Sequence, residues 1–161
     1  MGSRLTDLYR KLKHRVVSIE GIKLDHPHTP PGFSPFFFPP ERSEQKVTFG
    51  SGMVIHPKGY ILTCYHVVAG LTAINVKCGK NAQLYQGKLV LSWPDEDVAL
   101  LKIKPTTPLT PVKFSTEARI GEKVFALGNP FGFEHTLTMG VLSGKGRTVS
   151  TMNTHYVDML Q

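Results

Sequence analysis

From Lys46 onward the chain is cut into short apolar runs by turn residues, and this punctuation constrains the fold more than any other feature. KVTFGSGMVI (46–55), YILTC (60–64), TAINVKC (72–78), QLYQGKLVLSW (83–93), VALLKI (98–103), PVKF (111–114), EKVFALG (122–128) and TLTMGVLSG (136–144) all have strand length. They are rich in β-branched and aromatic residues, and turn signals such as HPKGY (56–60) and CGKNA (78–82) separate them. Turn signals at roughly 8–12-residue spacing mark a sandwich or a barrel. No βαβ alternation and no repeat of fixed period is present, so a mainly β fold is expected. RVVSIEGI (15–22) adds a further strand ahead of these. Before it, RLTDLYRKLK (4–13) sets Leu5, Leu8, Tyr9 and Leu12 on one helical face, the pattern of a short amphipathic helix.

Between the first strand and the β-rich part lies LDHPHTPPGFSPFFFPPERSEQ (24–45), whose six prolines exclude regular structure. Phe33, Phe36, Phe37 and Phe38 are unusual in a solvated loop, so this segment either lacks order or docks its aromatics on something, a sister subunit included. His26 and His28 lie here without a third ligand in view and read as solvated loop histidines; no metal and no cofactor is expected. At 161 residues the chain is one ordinary domain or two very small ones sharing a seam. It holds no apolar run of the roughly 18 residues needed to span a membrane. The start, MGSRLTDLYRKLK, has no apolar core of signal-peptide type, and its MGS reads as an appended remnant.

A net charge of +7 raises the question of nucleic acid. The basic excess is spread along the chain, with no basic run and no interleaved aromatic platform, so a solvated basic surface is the better account and no nucleic-acid partner is expected. Cys64 and Cys78 are too few for a disulfide framework; they could pair or remain free thiols. Cys64 stands two residues before His66, which makes it a candidate nucleophile, but such close neighbours on a strand rarely let an imidazole take the thiol proton.

His66 sits in LTCYHVVAG (62–70), after a strand end and before an apolar stretch. Taken alone it reads as a core histidine whose ring nitrogens bond backbone. Asp97, in DEDVALLKI (95–103), stands at the mouth of an apolar strand, where a half-buried carboxylate must find a donor. An imidazole is an obvious donor, and a carboxylate on its far nitrogen fixes the tautomer in which the near nitrogen is a base. The order His then Asp, 31 residues apart in a β-rich chain, fits the chymotrypsin-like arrangement in which Ser comes last. Asp97 could equally be a strand-end cap.

GSGMVIHPKGYILTCYHVVAG (50–70), DVALLKI (97–103) and IGEKVFALGNPFGFEHTLTMGVLSGKGR (120–147) resemble, in order and spacing, three signature blocks of the HtrA/Deg serine proteases. The resemblance runs from about Arg15 to Gln161. It implies a trypsin-like double β-barrel: an assembly segment at 1–14, a first barrel at 15–108 interrupted by the Pro/Phe-rich loop 24–45, and the start of a second, incomplete barrel at 109–161. It implies His66 as catalytic base and Asp97 as its orienting carboxylate, with Asp95 and Glu96 as solvent-facing neighbours. Unfolded or damaged polypeptides would be the substrates, a trimer the usual assembly with Leu5, Leu8 and Tyr9 at its seam, and the periplasm or cell envelope the place.

Two departures from the family accompany these implications. Cys64 and Tyr65 occupy positions where the family typically carries two Asn before its histidine. The family's HYVDMLQ-like segment (155–161 here) leads into a Gly-Asn-Ser-Gly-Gly stretch bearing the nucleophile and the oxyanion-hole amides, and the 161 residues end before it. Ser51, between Gly50 and Gly52, matches the family as structure, and no serine lies in a nucleophile elbow. The nucleophile is therefore expected outside these residues, and the chain by itself is expected to be inactive. The alternative reading is a non-catalytic protein-binding or assembly module built on a truncated trypsin-like fold.

Overall fold

The computed structural model describes residues 4–24, 45–79, 81–129, 135–150 and 155–161. The expectations for His26, His28 and the phenylalanines of the 24–45 segment lie outside the described residues. Helix α1 (Arg4–Leu12) and a single 3-10 turn (Lys13–Arg15) lead into β1 (Val16–Leu24). Then follow β2 (Gln45–His56), β3 (Tyr60–Cys64), the one-turn helix α2 (Tyr65–Val68), β4 (Ala73–Cys78), β5 (Gln83–Trp93) and β6 (Val98–Lys102). These six strands close a barrel in the order β1-β2-β3-β6-β5-β4, with β4 returning to β1. Every neighbouring pair is antiparallel.

Alternation along the strands builds the core. In β4 the even-numbered Ile74, Val76 and Cys78 point inward, and in β6 Ala99 and Leu101 do the same. Ile19, Val54, Ile61, Val76, Leu101 and Ile103 are all 0% exposed and form one cluster. Each such side chain contributes about 1.5–3 kcal/mol by leaving water. The β2–β3 hairpin turns at His56–Gly59, where the Gly59 amide donates to the His56 carbonyl at 3.0 Å. Gly59 has φ +90°, and a Cβ there would stand 2.6 Å from the Ile103 carbonyl oxygen, so a side chain is excluded twice over.

Past the barrel stand two two-stranded sheets: β7 (Lys123–Gly128) with β8 (Thr136–Val141), and β9 (Arg147–Ser150) with β10 (His155–Met159). The fold is thus mainly β, a closed barrel followed by smaller sheets. The strand expected over 111–114 does not form. Its backbone is tied to the barrel by one hydrogen bond, the Val112 amide to the Val54 carbonyl at 2.8 Å, in place of a ladder. The expected run over 136–144 ends as a strand at Val141, and β9 and β10 were not anticipated.

The seam between barrel and β7 is polar and specific. Asn129, just past β7 and 6% exposed, donates its backbone amide to Ser51 Oγ at 2.7 Å. Its side-chain amide donates to Ser18 Oγ, and its side-chain oxygen accepts the His135 amide at 3.1 Å. A single buried residue, through its backbone amide and its side chain, therefore ties β1, β2 and the far end of the β7–β8 connection together. Both cysteines are free, Cys64 exposed and Cys78 buried in the barrel.

Candidate active site

The β3–β6 register places the site. Thr63 pairs with Ala99 and Cys64 with Val98, so one rung further the ladder sets Tyr65 opposite Asp97. That rung is made, the Tyr65 amide donating to the Asp97 carbonyl at 3.0 Å. There the two chains diverge. After Cys64 the backbone winds into α2, while Asp97 closes a turn in which its amide donates to the Pro94 carbonyl at 3.2 Å. Asp97 has φ +54°, a left-handed conformation that Asp tolerates better than most residues.

Next along α2 comes His66. Its backbone amide donates to Asp97 Oδ1 at 2.8 Å, and its Nδ1 lies 2.6 Å from Asp97 Oδ2. An ionised carboxylate only accepts, so the ring proton sits on Nδ1 and leaves Nε2 as the free acceptor. The His66 side chain is 68% exposed, whereas Asp97 as a residue is only 7% exposed. A buried, oriented carboxylate thus holds an open imidazole whose basic nitrogen faces outward. Glycine at position 50 makes room for this turn: a Cβ there would lie 2.3 Å from Val67 Cγ1, next to the histidine.

Tyr156 on β10 completes the carboxylate's shell, its hydroxyl donating to Asp97 Oδ2 at 3.1 Å. Burial pushes the Asp97 carboxyl up, but hydrogen bonds from the His66 amide, the His66 ring and the Tyr156 hydroxyl, with the His66 charge, hold it below its ordinary value. Asp97 is therefore ionised at neutral pH. Tyr156 was not anticipated, although HYVDMLQ was recognised as a segment; contact across 59 residues has no local sequence signal.

Cys64 comes close as well. Its Sγ, a ring nitrogen of His66 and a carboxylate oxygen of Asp97 lie within 4.8 Å of one another. Partial burial of the thiol, and then the Asp97 charge, push its pKa up, so thiolate is scarce at neutral pH and a Cys nucleophile is disfavoured. Cys64 ends β3 while His66 lies in α2, so the two do not share a strand face as expected. A cleft of about 260 Å³ between barrel and β7 opens onto Cys64 and Asp97, lined also by Ser51, Met53, Leu62 and Leu127. Ser51 is held in the seam by the Asn129 amide.

Residues 50–160 match the family model described as a trypsin-like peptidase domain. A probable periplasmic serine endoprotease, DegP-like, of Rickettsia conorii is 41% identical over 121 residues, covering 73% of this chain and 24% of the relative. A protein of the same description from Ectopseudomonas mendocina is 35% identical over 162 residues, covering 94% of this chain and 34% of that one. The chain thus spans about a quarter to a third of the length of these relatives. Among solved structures, the HtrA-type protease AlgW with a decapeptide aligns at a TM-score of 0.73 and 32% identity, over 95% of this chain and 50% of that one. Among the described residues no helix is long and apolar enough to cross a membrane. The blocks that suggested the resemblance, the closed barrel and these matches agree: the chain belongs to the trypsin-like peptidases, in their HtrA/Deg family.

Proposed function

We propose that this chain carries the base and the orienting carboxylate of a serine endopeptidase acting on unfolded or damaged polypeptides. The observation that carries the reading is the 2.6 Å contact between His66 Nδ1 and the buried Asp97 carboxylate, with Nε2 left open. In the reaction, Nε2 of His66 takes the hydroxyl proton of the attacking serine and later returns it to the leaving amine. Asp97 keeps the ring in the competent tautomer and steadies the imidazolium as it forms, while Tyr156 holds the carboxylate. Ser51 accepts the Asn129 amide at the β7 seam, which speaks against it as the nucleophile, and on this reading the attacking serine belongs to the stretch that follows the HYVDMLQ-like segment in the family.

By the same reading the protein works in the periplasm, as the names of its relatives have it, and assembles as a trimer through the α1 segment. The test uses two proteins. The gene's full product should hydrolyse casein and be labelled by a fluorophosphonate at a serine beyond Gln161, whereas the 161-residue chain should do neither. A full product that folds and trimerises without labelling would favour a binding or assembly module.

A further inference from the structure

We propose that Cys64, His66 and Asp97 together form an inhibitory site for a thiophilic divalent cation of the zinc class. The three offer a sulfur, an imidazole nitrogen and a carboxylate oxygen, all within 4.8 Å of one another. That mixed donor set selects zinc and its chemical neighbours over hard cations, which want many oxygens. Tetrahedral zinc with bonds of about 2.0–2.3 Å holds its ligand atoms about 3.3–3.7 Å apart, so the 2.6 Å His66 Nδ1–Asp97 Oδ2 pair must open by somewhat less than about an ångström while the sulfur closes in from within 4.8 Å. The mobile partners are at hand. Cys64 is exposed and reorients through one side-chain rotation, and the His66 ring is mostly in solvent. Asp97 is the fixed member, held by the His66 amide and the Tyr156 hydroxyl, both of which remain when a cation takes the place of the ring N–H on the carboxylate. The cleft in front of Cys64 and Asp97 leaves the approach open and a fourth position for water.

The exchange balances simply. Cys64 Sγ–H binds as thiolate and releases one proton to solvent, while the imidazole stays neutral with its proton on the nitrogen the cation does not take. The price to catalysis is that the His66–Asp97 pair no longer holds a free base. The binding claim stands on geometry alone; the inhibition rests on the peptidase reading, and the experiment separates them.

Co²⁺ is titrated into the 161-residue chain as a spectroscopic stand-in. The site predicts a thiolate-to-cobalt charge-transfer band that saturates at one equivalent, is displaced by Zn²⁺ and not by Mg²⁺ or Ca²⁺, and coincides with protection of Cys64 from Ellman's reagent. Cys64→Ser and His66→Ala, each checked for an unchanged circular dichroism spectrum, should weaken binding by at least about 100-fold, the upper end of what losing even an outer partner costs. Absence of the band, or equal affinity in either variant, overturns the site. With the full product, the zinc concentration for half-inhibition of casein hydrolysis should rise about 100-fold in Cys64→Ser; an unchanged value overturns the inhibitory role. A full product without activity sinks the peptidase reading and leaves the binding result intact.

Discussion

The Tyr65 amide and the Asp97 carbonyl, 3.0 Å apart, form the last rung of the β3–β6 ladder, and the next residue on the β3 side is His66. A His–Asp contact between residues 31 apart in the chain is thereby reduced to a question of strand register. A slip of one residue in that ladder would turn Asp97 away from the ring altogether. Three side features hold the arrangement, and each can be removed separately.

Gly50→Ala should destabilise the chain by about 1–3 kcal/mol, because the new methyl stands 2.3 Å from Val67 Cγ1 and must displace it. Urea denaturation measures the loss. Adding Val67→Ala should restore part of it, giving a coupling between the two sites of about 0.5–3 kcal/mol; strict additivity would mean that the crowding is relieved elsewhere.

Tyr156→Phe removes the hydroxyl from Asp97 Oδ2 while leaving the ring. A hydrogen bond to a charged acceptor is worth about 1.5–3 kcal/mol, and the half-buried position of Tyr156 lowers that to about 1–2 kcal/mol. Stability in urea at neutral pH should fall by that amount. No change would show that β10 does not rest on the carboxylate in solution.

Asn129→Ala should cost about 1–3 kcal/mol, since it strips the Ser18 hydroxyl and the His135 amide of their partner at a buried seam. The loss should register in hydrogen exchange of the β7–β8 amides before those of the barrel. Uniform acceleration across the barrel would contradict a seam role.

Cys78 is 4% exposed, and burial pushes its thiol from 9.0 up to about 11. The native state therefore favours the protonated form. That contribution is complete below about pH 9 and is lost as pH rises from 9 towards 11. Stability measured across this window should fall more steeply in the wild type than in Cys78→Ala; equal slopes would contradict it. At pH 8, Ellman's reagent should modify the exposed Cys64 well before Cys78.

The barrel was legible because each strand carries its own alternation or apolar run, ended by a turn whose residues declare it, as at HPKGY. The 65–68 turn was not, because four residues are too few to display a helical period. PVKF has strand composition but finds only one backbone partner, a tertiary outcome that composition does not encode. That His66 and Asp97 meet was expected from the motif blocks, and their side chains are in contact. Tyr156 and Asn129 were not, since each acts through partners 59 and 111 residues away in the chain. The Cys64–His66–Asp97 cluster was half visible: Cys64 was weighed as a nucleophile beside His66, whereas Asp97 as a third donor becomes apparent only once the register is known.

The central claim is that Asp97 orients His66 for proton transfer, and the turnover of Asp97→Asn in the gene's full product tests it most directly. The amide is nearly isosteric and can still occupy the Tyr156 and His66 amide contacts, but it favours the wrong ring tautomer. Casein hydrolysis at neutral pH should fall by about 10⁴-fold in kcat with an unchanged melting profile. Turnover within a few fold of the wild type would contradict the assignment and return His66 to an ordinary surface histidine.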